Sequence, residues 1–138
     1  MGRYAHVLYC DDIRNEVGNK LTLVGVYQGA LVSAQIPALL PKLCVVLTLH
    51  TPKERMFEQV SVIGTYEDQE AFRMELGEED LTSITAEMPP PGPETKSYEM
   101  TLMAMLAPFQ IETAGKLKIE IIADGEELRC SSLQITAA

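Results

Sequence analysis

Residues 115–135 read GKLKIEIIADGEELRCSSLQI, and the Asp124-Gly125 pair near the centre decides the class of the fold. It lies between two runs of alternating apolar and polar residues, the pattern of a two-residue hairpin whose central positions both take positive φ. Cross-strand partner numbers then sum to 249, which sets Ile121 opposite Leu128 and Ile119 opposite Cys130 on one face. Cys130 is expected to point inward. Beyond it the apolar phase slips, because Leu128 and Cys130 are even whereas Leu133 and Ile135 are odd. One extra residue must be absorbed, and a bulge at Ser131 or Ser132 would do so.

The same period of two runs upstream. It marks strands at Arg3–Cys10, Lys20–Tyr27, Lys42–Thr51, Gln59–Glu67, Ala71–Leu76, Ser97–Ala107, Lys116–Ala123 and Glu127–Thr136. Only Glu78–Ser83 has a helical look. Pro37 and Pro41 bracket a connection, Pro52 ends the third strand, and MPPPGP at Met88–Pro93 reads as an extended polyproline loop crossing between sheets. A chain of 138 residues buries roughly two-thirds of its unfolded surface, enough for one complete core. The expectation is an all-β protein: a single β-sandwich domain over residues 1–138, with seven or eight mainly antiparallel strands in an immunoglobulin-like architecture.

Composition narrows the function. The formal charge is −9, and residues 67–99 carry ten acidic groups against Arg73 and Lys96. A duplex-binding surface needs clustered cations, which this chain lacks, so nucleic acid is not an expected partner. No apolar run reaches the roughly 20 residues that span a bilayer, and Asp11 and Asp12 interrupt the N-terminal run before it forms a signal-peptide core. No membrane association is expected. Cys10, Cys44 and Cys130 are odd in number and each lies in an apolar segment; they read as buried, reduced thiols in a cytoplasmic setting.

The stretch YCDDIRNEVGNKL, residues 9–21, sets two aspartates, an arginine and a glutamate directly after an apolar run. It is not a calcium loop, since Ile13 stands where Asp or Asn is needed, nor a phosphate loop, since the glycine spacing is wrong. Asp11 and Asp12 are adjacent, so on an extended chain they point apart. The structural reading is a turn, with Asp side chains bonding nearby backbone N–H groups, Arg14 forking onto Asp12 or Glu16, and Gly18 and Asn19 taking positive φ. The functional reading makes Asp11, Asp12, Arg14 and Glu16 a binding cluster. A carboxylate there with a raised pKa in a cleft would favour a small-ligand binder or hydrolase; side chains splayed into solvent or bonded locally would count against it.

Other chemistry is thinly supported. There is no G-x-S-x-G, no C-x-x-C and no H-E-x-x-H, so neither a catalytic residue nor a metal or cofactor site is expected. His6 and His50 read as partly exposed strand residues. In YEMTLMAMLAPF, Met100, Leu102, Ala104 and Leu106 share one face of a strand while Met103 and Met105 lie on the other. Both faces are apolar, as in a central strand buried on two sides or one whose outer face meets another subunit. Tyr98, Met100, Met103 and Met105 are therefore the interface candidates.

CDDIRNEVGNKLTLVGVY, followed by Ala-Leu-Leu-Pro-Lys-Leu-Cys at residues 38–44 and the Asp-Gly-Glu-Glu of the C-terminal hairpin, resembles a family of small bacterial and phage proteins of unknown function. The resemblance covers nearly the whole chain and departs slightly at Gly18-Asn19-Lys20. It implies a compact all-β domain and assigns no activity to the matching Asp11, Asp12, Arg14 and Glu16. The functional expectation is a non-enzymatic protein-interaction or assembly module, phage or prophage associated, binding itself or a protein partner in the cytoplasm or the virion. Beside the ligand-cluster alternative stands an acidic, phage-encoded inhibitor whose acidic lobe occupies a basic host protein.

Overall fold

The computed structural model describes residues 2–88 and 92–138. Among them the chain forms β1 (Tyr4–Glu16), β2 (Lys20–Val26), β3 (Ala30–Ser33), β4 (Ala38–Leu40), β5 (Leu43–Pro52), β6 (Val60–Tyr66), β7 (Gln69–Leu76), α1 (Glu78–Ala86), β8 (Ser97–Leu106), β9 (Phe109–Ile111), β10 (Gly115–Ala123), β11 (Glu126–Leu128) and β12 (Leu133–Ala137). The all-β expectation holds. Three short strands, β3, β4 and β9, lack a run long enough to show period two. The polyproline reading falls on Pro89–Pro91, which lie outside the described residues.

The C-terminal ribbon pairs as its alternation demands. Ile121 faces Leu128 and Ala123 faces Glu126, around Asp124 and Gly125 at φ +50° and +82°. Past the hairpin, β12 returns to β10 with Leu117 opposite Leu133 and Gly115 opposite Ile135, so partner numbers now sum to 250. The extra residue is absorbed by a break over 129–132 in place of a single bulge, and β11 stops before Cys130 can pair with Ile119. The cause lies across the sandwich: the buried Tyr9 hydroxyl donates to the Ser131 carbonyl at 2.7 Å. Cys130 packs half-buried against the core, as its inward phase requires.

One sheet runs β2-β1-β5-β8 and the other β3-β12-β10-β6-β7, with β11 added to β10 and a separate β4-β9 pair. All neighbours are antiparallel except β3 with β12. Val45, Leu47 and Leu49 of β5, Val60 and Val62 of β6, and Leu117 and Ile121 of β10 are fully buried in one cluster that both sheets share. Each such side chain contributes roughly 1.5–3 kcal/mol of burial. Gly64 lets the Phe72 ring cross β6, where any Cβ would collide with it. Helix α1 lies at the open side, with Leu81 buried and Ile84 and Met88 packed on the core.

Asp124 does more than turn the chain. Its carboxylate accepts the Glu58 and Gln59 amides at 3.1 and 2.8 Å and holds the Arg3 guanidinium at 2.9 Å. Arg3, 3% exposed in its side chain, also donates to Thr51 Oγ1 at 3.0 Å and lies over the Phe57 ring at 4.7 Å. A buried guanidinium satisfied on this many sides ties the start of β1 to the β10–β11 turn.

Candidate functional site

The turn expected within YCDDIRNEVGNKL lies at its far end, and Asp11 and Asp12 are not part of it. β1 continues as a strand to Glu16, and the chain reverses at Val17–Asn19, with Gly18 and Asn19 at φ +92° and +58°. The expected positive φ at these two positions is present. What Asp11 and Asp12 mark is a bend within the strand. On β5, alternate residues Val45 and Leu47 enter the main core, so Cys44 and Val46 face outward. There they form a second cluster with Cys10 and Ile13, under Leu23 and Val26. Ile13 lies three residues beyond Cys10 yet packs on the same side, so the strand's phase changes between them. The β1–β2 hairpin therefore turns back over the outer face of its own sheet, and its tip shares a cleft with β8.

The bend is held by residues from three segments. Tyr27 donates its hydroxyl to Asp11 Oδ1. Asp12 Oδ1 accepts the Ile13 amide and the Lys42 ammonium, both at 2.9 Å. Cys10 faces Cys44 across the ladder; their thiols donate to the Asp12 and Asp11 carbonyls at 3.4 and 3.8 Å. Burial pushes the Cys10 thiol up to about 11 and raises Cys44 as well, so both are protonated donors at neutral pH. Opposite the bend, Gly25 sits at φ +68°, where a Cβ would strike the Asp11 carboxylate.

This arrangement brings the four candidate residues near one another without making them a site. Asp11 and Asp12 go to different partners. Arg14 meets Glu16 at 3.6 Å, with 66% of the Arg14 side chain exposed. The hydrogen bond from Lys42 holds the Asp12 carboxyl below its usual range, the opposite of the shift that a proton-transfer role would need. Among the described residues no group of three or more His, Cys, Asp and Glu could hold a metal ion. Lys42, Tyr27 and Gly25 were the partners not identified from sequence, although each lies in a motif segment that marks the resemblance.

The interface candidates divide. β8 is the edge strand of its sheet, not a central one. Met100 is 4% exposed and faces the core, whereas Met103 and Met105 stand outward at 40% and 54%. Tyr98 is half-buried beside α1. A cleft of about 680 Å³ opens along β8, lined there by Met100, Thr101 and Met103, with the hairpin tip and Ile84, Glu87 and Met88 completing it. At its rim Glu99 faces His50 Nδ1 at 3.5 Å. His50 is not the partly exposed residue expected: it is 7% exposed, stacked on Tyr4 at 4.2 Å, and its Nε2 finds no partner among the described residues.

A family model described as a family of unknown function, DUF6941, matches residues 5–136. The chain belongs to this family. The match spans both hairpins, the bend and β8, so the strand pairing and the clasp at Asp11 and Asp12 all lie within the DUF6941 region. No curated protein and no solved structure matches the chain. No helix among the described residues is long and apolar enough to cross a membrane.

Proposed function

We propose that this DUF6941 protein is a non-enzymatic interaction module that binds a partner protein through the edge and outer face of β8. The observation that carries the reading is the position of β8: ten residues at the edge of a sheet, with Met103 and Met105 exposed beside its free side. An edge strand offers backbone N–H and C=O groups to a further strand, and exposed apolar side chains beside it supply the desolvation that makes such pairing stable. A phage or prophage setting, in the cytoplasm or the virion, is part of the same proposal and is supported only by the resemblance noted in the sequence.

Light scattering across a concentration series in reducing buffer, on the wild type and on Met103→Glu, tests the reading first. A defined oligomer that Met103→Glu disperses supports β8 as the interface with a second copy as partner. An oligomer indifferent to Met103→Glu puts the contact elsewhere. A monomer throughout leaves a foreign partner as the occupant of β8, and the peptide measurement below then decides.

A further inference from the structure

The cleft along β8 has a chemistry as well as a shape, and this rests on the reading of β8 as an interface. Its lining mixes apolar and polar groups: Met103 from β8, Leu21 from the hairpin, and Ile84 and Met88 from the end of α1 lie beside Asn15, Asn19 and Thr101. Methionines make such a surface adaptable to different side chains. Its rim is acidic, with Glu16, Glu87 and Glu99 against the single ammonium of Lys20. Helix α1 also ends at this rim, capped by Glu87, with no basic residue in its last turn. The C-terminal end of a helix carries partial negative charge that a cation would offset, and nothing in the helix itself offsets it. Neighbouring charges do not reverse the sign: Arg14 is drawn to Glu16, and His50 is stacked on Tyr4 with its Nδ1 toward Glu99.

We propose that this cleft binds an extended segment of a partner protein that carries basic and apolar residues on the same face. Laid along β8, such a segment sets its apolar side chains beside Met103 and its cations against Glu99, which shares that face of the strand, and against Glu87 at the rim. From Glu99 to Met103 the strand rises about 14 Å, which accommodates a partner strand of about four or five residues. A second copy is a poor occupant, because the chain carries a formal charge of −9 and two copies so charged repel each other.

Fluorescence anisotropy on the intact protein with three labelled peptides tests this. The peptides share one pattern of valines on a single face and carry Lys, Gln or Glu at two further positions on that same face. The Lys peptide is expected to bind, to weaken about fivefold or more on Glu87→Gln with Glu99→Gln, and to change less than twofold on Glu78→Gln with Glu79→Gln. The second pair removes the same charge from the far end of α1. Equal weakening by both pairs means that the acidic lobe attracts any cation and overturns the proposal. Binding of the Gln or Glu peptide in preference to Lys, lost on Met103→Glu, overturns the cationic partner and leaves β8 standing as an interface. No binding by any peptide overturns the cationic segment; together with a protein that stays monomeric it also ends the interface reading.

Discussion

The C-terminal hairpin β10–β11 and the N-terminal hairpin β1–β2 both reverse on residues with positive φ, Asp124-Gly125 in one and Gly18-Asn19 in the other. The first keeps one phase along each strand, and its partners follow from the turn alone. The second changes phase in mid-strand and folds over its own sheet. Turn chemistry therefore fixes the register of a hairpin, while its path across the molecule depends on what its strands meet. At Asp11 and Asp12 they meet a tyrosine 16 residues away, a lysine 30 away and a cysteine whose thiol reaches a carbonyl 33 away.

The sharpest break in this comparison is Asp124→Asn, because Asn-Gly suits the same turn as Asp-Gly. If the turn were all that mattered, stability would hardly change. The substitution leaves the buried Arg3 without its carboxylate, at an expected cost of about 2–4 kcal/mol after allowing for the partial exposure of Asp124. The urea midpoint reads it, and an unchanged midpoint would reduce Asp124 to a turn residue.

A smaller effect is expected at the other hairpin. Gly25→Ala places a Cβ on a residue at φ +68° and against Asp11, costing about 1–2 kcal/mol. Native-state hydrogen exchange is expected to show the loss concentrated in 11–26, since a hairpin held by a small cluster opens separately from the main core. Uniform loss across both sheets would mean that the hairpin and the core are one cooperative unit.

The smallest effect concerns Asp12, whose side chain is well exposed. Its folded pKa lies below the ordinary 3.8, so the contribution of the Lys42 pair is fully present above that value. It is lost as pH falls through the folded pKa. Wild type and Asp12→Asn should differ slightly in urea midpoint near neutrality and converge once the pH has fallen below the folded pKa of Asp12. A gap that widens on acidification would show that Asp12 has the wrong sign here.

Much of the architecture was legible because period two is local. Six of the eight expected strands begin and end close to where the alternation does, and the one-residue slip after Cys130 emerges as the change from 249 to 250 in partner sums. The folded-back hairpin left a trace that went unused. LCVVL in β5 is apolar without alternation, as in a strand covered on both faces, and the hairpin provides the second cover. Apolarity on both faces of Ser97–Leu106 gave the opposite lesson, since pattern alone does not separate a central strand from an edge strand with an interface.

What the sequence determined by itself is the set of longer strands, the turns at Gly18-Asn19 and Asp124-Gly125, and the alternation of faces within each unbroken run, because alternation and φ preferences act over a few bonds. Tertiary structure alone decided the bend at Asp11 and Asp12, the burial of His50, the edge position of β8 and the cleft beside it. Each of these depends on side chains brought together from distant parts of the chain, and a contact of that kind has no signature at either of its ends.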